Sequence, residues 1–165
     1  MKTQTKLFTG NEICEIKVTY ERPPLSSMPA ISCSLDAIDV VRQICEGVSL
    51  DYQEHFWCIF LNNSNHVLGY REIGRGDQTG AIVHVSQIFA ISIKVSAKAI
   101  ILAHNHPSGK LKPSKADKQL VGRIEEIGKL FNISILDSII ITSESSLSFA
   151  DEGLMNKANK NDIPF

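Results

Sequence analysis

The chain has 165 residues, of which 43% are hydrophobic and 21% charged, so a single domain with a buried core is expected. Its formal net charge of −1 gives no broad electrostatic argument for a nucleic acid or a membrane surface as partner. No apolar run approaches the roughly 20 residues that a membrane span requires, and the N-terminus lacks the apolar segment of a signal peptide. We therefore predict a cytoplasmic protein.

Composition divides the chain into three parts. Residues 1–32 comprise a polar start, an alternating strand over Cys14–Tyr20 and a linker rich in proline and serine. Residues 33–155 contain all the remaining predicted elements and form the main domain. Residues 156–165 are a polar tail.

The first helix is predicted over Leu35–Glu46. Ser34 is a suitable N-cap, and Gly47 follows the helix, as is common at C-terminal ends. The predicted buried face carries Leu35, Ile38, Val41 and Cys45. The four cysteines form no Cys-x-x-Cys pair, and Cys14, Cys58 and Cys45 fall in predicted strands or a helix, so we expect buried free thiols.

The middle of the chain is predicted to be mainly β. Phe56–Leu61 and Val67–Ile73 are two strands joined by a polar hairpin loop. A second turn is expected over Arg75–Gly80, followed by a short strand over Ala81–His84. Val85–Val95 is ambiguous, because its apolar spacing favours a helix whereas its β-branched residues weaken that interpretation.

The second half of the chain predicts a strand, a helix and another strand. Ala99–Ala103 is short and fully apolar, as is typical of a strand buried on both faces. Ser114–Phe131 has helical periodicity, and Ser134–Thr142 is rich in β-branched residues. The apolar stripe of this helix comprises Ala116, Leu120, Ile124, Ile127 and Phe131.

Histidines with metal-ligand spacing follow the strand Ala99–Ala103. In extended chain the side chains of His104 and His106 point to the same side, so both imidazoles can reach one ion. Asp117 falls in the first turn of the next helix, where the helix dipole favours a carboxylate. Two histidines and one aspartate suit Zn²⁺ and leave a fourth position for water, which predicts a catalytic rather than a structural zinc site.

Other interpretations of these residues are open. Ser114 and Asp117 have the spacing of a helix-capping pair, which explains those two residues but not the histidines. The reaction also requires a proton acceptor, and Glu54, at the start of the strand Phe56–Leu61, is the candidate. On its position alone, Glu54 is better explained as a solvated residue at a strand end.

The segment 99–117, which contains His-Asn-His-Pro-Ser-Gly followed by Pro-Ser-x-x-Asp, resembles the signature of the RadC-type branch of the JAB/MPN (JAMM) metalloprotease superfamily. The resemblance extends from about Ser34 to Glu152 and includes Glu54-His55-Phe56. It implies an α/β (α+β) fold with a mixed β-sheet flanked by helices, of the cytidine-deaminase-like kind.

The resemblance also implies a role for each site residue. His104, His106 and Asp117 would bind Zn²⁺, Glu54 would be the general acid/base, and Ser114 would help to stabilise the oxyanion. The chain departs from the family pattern at Asp137-Ser138, where Asp-His is usual. The helix-hairpin-helix segment of full-length RadC proteins is not recognisable, and the sequence resembles the short members associated with mobile elements.

Three functions follow from these observations. The first is a zinc-dependent peptidase or isopeptidase that uses zinc-activated water on an amide bond of a protein or peptide substrate. The second is an accessory module in DNA repair or another DNA transaction, for which the only local support is a cluster of lysines over Lys110–Lys118. A deaminase ranks last, because the Pro-Cys-x-x-Cys ligands are missing. The sequence leaves open whether the protein is a homodimer.

Overall fold

The computed structural model describes residues 19–21, 24–77 and 80–155. The predicted strand Cys14–Tyr20 lies outside these residues apart from Thr19 and Tyr20, and the predicted tail lies wholly outside them. The Tyr20 hydroxyl donates a hydrogen bond of 3.0 Å to the carbonyl of Leu68. None of the helices within the described ranges has both the length and the apolar character that crossing a membrane would require.

The described residues form one short 3-10 helix, three α-helices and six strands. The 3-10 helix is Leu25–Ser27, and the α-helices are α1 (Ser34–Ile44), α2 (Val85–Lys94) and α3 (Lys115–Phe131). The strands are β1 (His55–Leu61), β2 (Val67–Asp77), β3 (Gly80–Ala81), β4 (Ala99–Asn105), β5 (Ser134–Ile141) and β6 (Ser146–Ser148).

The strands form a mixed sheet in the order β3-β2-β1-β4-β5-β6. All neighbouring pairs are antiparallel except β4 and β5, which run parallel because α3 returns the chain to the same end of the sheet. In this register His104 on β4 faces Phe56 on β1 and Ile140 on β5. The predicted fold class, an α+β domain with a mixed sheet flanked by helices, is confirmed.

Helices cover both faces of the sheet. The core on one face joins α2 and α3 to alternate residues of β1 and β4, and Ile88, Ile124 and Ile140 are among its fully buried members. The core on the other face joins α1, which contributes Val41, to the intervening residues of β1 and β4 and to Ile139 of β5. Because β1 and β4 are buried along their whole length, their continuous apolar sequences follow from the topology. Full burial of one such isoleucine contributes about 1.5–3 kcal/mol.

Helix α1 differs from its prediction at its start and on its buried face. It begins at Ser34, and the N-cap is Cys33, whose backbone is extended with φ −150°. The Asp36 carboxylate accepts the backbone N–H groups of Ser32 and Cys33 at 2.7 and 3.2 Å, which stabilises the first turn. Leu35, predicted to be buried, is 68% exposed, because the face toward the sheet carries Ala37, Val40 and Val41.

The predicted turn over Arg75–Gly80 is wrong at its start, because β2 continues to Asp77. Arg75 pairs with His55 of β1, and Gly76 pairs with Ala81 of β3, so pairing on both sides keeps this glycine-rich segment extended. The strand predicted over Ala81–His84 ends at Ala81. The ambiguous segment Val85–Val95 forms the helix α2. The apolar stripe predicted for α3 is buried at Ile124, but its two end residues, Ala116 and Phe131, are exposed.

The cysteine prediction is correct at two positions and wrong at one. Cys45 and Cys58 are buried free thiols, whereas Cys33 is exposed at the start of α1. Burial raises the pKa of Cys45 to about 11 and that of Cys58 well above its usual range. Cys14 lies outside the described residues.

Candidate metal centre

The two histidines lie at the carboxyl end of β4. The strand extends through Asn105, so His104 lies inside it with 2% of its surface exposed, and His106 follows directly. Their Nε2 atoms are 3.1 Å apart, and their ring centroids are separated by 4.9 Å. The predicted convergence of the two imidazoles is confirmed. The end of a parallel strand that leads into a crossover helix is also where ligands bind in open α/β sheets.

Asp117 reaches the same point from the first turn of α3. Its Oδ1 lies 3.7 Å from Nε2 of His104, and its Oδ2 lies 3.5 Å from Nε2 of His106. Asp117 is also part of a capping box, since Oδ2 accepts the N–H of Ser114 at 2.6 Å and Ser114 Oγ accepts the N–H of Asp117 at 3.1 Å. The capping interpretation is therefore correct, and it is compatible with a ligand role because the cap fixes the direction of the carboxylate.

The donor set fits a zinc ion. Two ligand atoms bound to one tetrahedral zinc at roughly 2.0–2.1 Å lie about 3.3–3.4 Å apart. The Nε2 to Nε2 distance of 3.1 Å and the Nε2 to carboxylate distances of 3.5 and 3.7 Å lie on either side of that value. His104, His106 and Asp117 offer ligand atoms that all lie within 4.8 Å of one another. Two imidazoles and one carboxylate are the ligand types of catalytic zinc sites, in which a fourth position stays open.

A different contact orients each imidazole. Nδ1 of His106 lies 2.6 Å from the carbonyl oxygen of Lys110, so Nδ1–H donates and Nε2 presents its lone pair to the group. Nδ1 of His104 is buried and forms no hydrogen bond to any residue that the structure describes. Packing holds this ring instead, because it stacks on Phe56 at 6.0 Å between centroids.

Asp117 and His106 each stabilise the charged form of the other. Burial alone would raise the pKa of Asp117, but the interactions of its carboxylate with His104 and His106 outweigh burial and hold this pKa well below its usual range. The Asp117 carboxylate raises the pKa of His106, burial lowers it, and the Lys110 carbonyl and the Glu54 charge add to the rise. In the metal-free protein, Asp117 is thus an anion that holds two histidines.

Glu54 precedes β1 and lies beside the ligands because β1 runs antiparallel to β4. Phe56 faces His104 across this pair, so the start of β1 lies next to the end of β4. The Glu54 charge also contributes to the raised pKa of His106. Ser114 is exposed at the edge of the group, and a hydroxyl that accepts one hydrogen bond keeps its own hydrogen to donate. The structure thus places Ser114 and the backbone of Glu54 next to the ligands, while the catalytic roles of both residues stay predictions.

Sequence reasoning assigned no role to Asn105, which stands between the two histidines and is fully buried. Asparagine is depleted in strands, so an asparagine at the end of an apolar strand was the available signal. A second polar cluster was also missed. Nδ1 of His55 lies 2.9 Å from Oε2 of Glu72, and the His55 ring stacks on Trp57. Trp57 belongs to the core under α1, on the sheet face opposite Phe56 and His104.

Comparison with known proteins identifies the family to which the chain belongs. Residues 31–154 match the model of the RadC-like JAB domain family. A "UPF0758 protein" of Flavobacterium johnsoniae is 40% identical over 124 residues, which cover 75% of this chain and 53% of the relative. A "UPF0758 protein" of Chlorobaculum parvum is 36% identical over 119 residues, covering 72% of this chain and 54% of the relative.

Another "UPF0758 protein", from Geotalea uraniireducens, is 33% identical over 161 residues, which cover 89% of this chain and 71% of the relative. The chain spans about half the length of the Flavobacterium and Chlorobaculum relatives. The matched range 31–154 spans the positions of both histidines, Asp117, Ser114 and Glu54. The chain belongs to the RadC-like JAB domain family.

Proposed function

We propose that this protein is a zinc-dependent metallohydrolase that cleaves an amide bond in a peptide or protein substrate. The observation that carries the proposal is the three-ligand group His104, His106 and Asp117 at one end of the sheet, with the Ser114 hydroxyl and the start of β1 next to it. A structural zinc site would have four protein ligands, whereas three suit a hydrolytic site.

Three residues of the chain would have separate roles in the reaction beside the zinc ligands. Bound zinc would supply Lewis acidity and would lower the pKa of a water from about 15.7 to about 7. Glu54 would accept a proton from the attacking water and return it to the leaving amine, and its position at the start of β1, beside the end of β4, supports this role. The Ser114 hydroxyl would donate to the oxyanion of the tetrahedral intermediate, since it accepts only the Asp117 N–H and keeps its own hydrogen. The Lys110 carbonyl keeps His106 in the tautomer that binds a metal through Nε2.

The test compares the wild-type protein with a Glu54→Gln variant, each loaded with one equivalent of zinc, on a library of fluorogenic peptide and isopeptide substrates. We expect zinc-dependent cleavage by the wild type and a loss of roughly 10²–10⁴-fold in kcat for Glu54→Gln, since proton transfer supplies about that factor. The zinc content of the variant should be unchanged. Glu126→Gln, an exposed glutamate later in α3, is the matched control and should keep full activity. A zinc-loaded wild type that cleaves no substrate contradicts the proposal, as does an active Glu54→Gln variant.

A second candidate function, an accessory role in a DNA transaction, is favoured by a group of exposed lysines next to the metal group. These are Lys110, Lys112, Lys115 and Lys118. If they neutralise phosphates, DNA affinity should fall steeply with salt, and replacing each with glutamine should reduce the salt slope by about one. Fluorescence anisotropy with labelled DNA measures this. An affinity that does not change with the lysine replacements contradicts the candidate.

A further inference from the structure

Asn105 is a fully buried polar residue at the last position of β4. Its side-chain amide forms three hydrogen bonds. Nδ2 donates to the carbonyl oxygens of Leu50 and Gln53 at 2.7 and 2.8 Å, and Oδ1 accepts the backbone N–H of His55 at 2.7 Å. Both donors of the amide group and its oxygen are therefore engaged, all with the segment that leads into β1.

These bonds lie on both sides of Glu54. The Gln53 carbonyl belongs to the peptide group before Glu54, and the His55 N–H belongs to the peptide group after it. The carbonyl of Glu54 itself accepts the N–H of Gly76 on β2 at 2.9 Å. The backbone at Glu54 is thus held from β4 by one side chain and from β2 by one main-chain bond.

The bonds occur where main-chain pairing between β1 and β4 stops. The β1–β4 ladder ends at Phe56 and His104, and beyond it the chain stays with β5 through the bond of 3.2 Å from His106 N–H to the Ile141 carbonyl. The Asn105 amide takes the place of the missing ladder bonds. It connects the strand that carries both histidines directly to the peptide groups that carry Glu54.

We infer that Asn105 is a positioning residue that fixes the Glu54 carboxylate relative to the metal ligands. The inference rests on the proposed function, in which Glu54 transfers the proton. A base acts only within hydrogen-bond reach of its proton, and a displacement of about 1 Å can reduce the rate about 10²-fold. Asn105 provides this constraint, because it lies between the two histidines in the chain and its side chain is hydrogen-bonded to the peptide groups before and after Glu54.

The activity test uses the zinc-loaded full chain with Asn105→Ala and the milder Asn105→Ser. We expect kcat to fall about 10²-fold with KM and zinc stoichiometry nearly unchanged. The matched control is Asn62→Ala, because Asn62 Oδ1 also holds a loop, accepting the N–H groups of Ser64 and His66 at 2.8 and 3.0 Å beyond the far end of β1. The control should keep its kcat. A variant of Asn105 that loses zinc would overturn the inference, because Asn105 would then be holding the ligands.

A double-mutant cycle identifies the residue through which Asn105 acts. In a Glu54→Gln background, Asn105→Ala should cause little further loss of kcat, because the base whose position it sets is already removed. If Asn105→Ala reduces kcat by the same factor in the Glu54→Gln background as in the wild type, the inference is overturned. If neither Asn105→Ala nor Asn105→Ser folds, Asn105 is needed by the sheet as a whole and the inference is likewise overturned.

Amide hydrogen exchange tests, without any substrate, whether Asn105 holds the segment before β1. Asn105→Ser should speed exchange over residues 51–55 and leave residues 63–66 unchanged, whereas Asn62→Ala should do the reverse. Unchanged exchange over residues 51–55 would show that Asn105 does not hold this segment, and would refute the inference. If the wild type cleaves no amide, the proposed function fails, and the exchange result still decides whether Asn105 holds the segment that carries Glu54.

Discussion

Ser114 and Asp117 each take part in the capping box, but only Asp117 is expected to bind zinc, so two substitutions separate the two roles. Ser114→Ala removes the oxygen that accepts the Asp117 N–H at 3.1 Å and leaves the ligand group intact. Asp117→Asn keeps a side-chain oxygen for the Ser114 N–H but removes the negative charge beside the histidines. We therefore expect Ser114→Ala to lower the stability of the metal-free protein and Asp117→Asn to lower its zinc affinity.

The magnitudes follow from these contacts. Loss of an N-cap oxygen costs about 1 kcal/mol, within a range of about 0.5–2, and 1 kcal/mol lowers Tm by about 2–4 °C in a domain of this size. Loss of one of three zinc ligands should weaken binding at least about 100-fold, since removal of an outer-shell partner alone costs roughly 10–100-fold. At saturating zinc, a 100-fold weaker Kd removes about 2.7 kcal/mol, so the zinc-induced rise in Tm should shrink by about 5–10 °C.

Thermal unfolding with a chelator and with excess zinc measures both effects in each variant. Using the difference between the two conditions cancels any change in the metal-free protein. The reasoning is refuted if Ser114→Ala loses as much of the zinc-induced rise as Asp117→Asn. It is also refuted if Asp117→Asn retains the full rise.

Three further predictions concern packing, thiols and pH. Gly128→Ala should lower Tm, since a Cβ there would lie 2.6 Å from the Ile133 carbonyl oxygen and overpacking costs about 1–3 kcal/mol; a higher Tm would contradict this. In a Cys14→Ser background, a thiol reagent should label native protein at Cys33 alone, and rapid labelling of the buried thiols would contradict it. Apparent zinc affinity should fall about tenfold per pH unit below the raised pKa of His106, where a proton competes with the metal; a chelator-competition series that shows no pH dependence would contradict this.

The site was predictable where the signal is local. Ala99–Ala103 is apolar because β4 is buried on both faces, and the two histidines that follow it are neighbours on one side of the strand. Ser114 and Asp117 are three residues apart at a helix start, so their hydrogen bonds also depend only on local geometry. These parts of the prediction needed no knowledge of the tertiary structure.

Elements that depend on pairing between distant segments were not predictable. Arg75–Asp77 has the glycine content of a turn, but its pairing with β1 and β3 makes it a strand. β6 is only three residues long, and it is held by β5 and by the Ser148 hydroxyl, which donates to Asp137 Oδ2 at 2.6 Å. A sequence of three residues carries too little pattern to show this.

Glu54 and Asn105 illustrate the same limit inside the site. Glu54 was assigned through the family resemblance, because it lies 50 residues before His104 in the chain. The pairing of β1 with β4 brings its backbone next to the histidines, and this pairing is not visible in the sequence. Asn105 was visible in the sequence between the two histidines, but its three partners lie between Leu50 and His55. Which backbone groups a buried amide satisfies is decided by the tertiary structure.

The most direct test of the metal centre is an anomalous difference map, recorded at the zinc edge from crystals of the zinc-loaded protein. We predict one strong peak at about 2.0–2.2 Å from Nε2 of His104, Nε2 of His106 and a carboxylate oxygen of Asp117, with a water as the fourth ligand. A peak at any other set of residues, or no peak between these three side chains, would contradict the account.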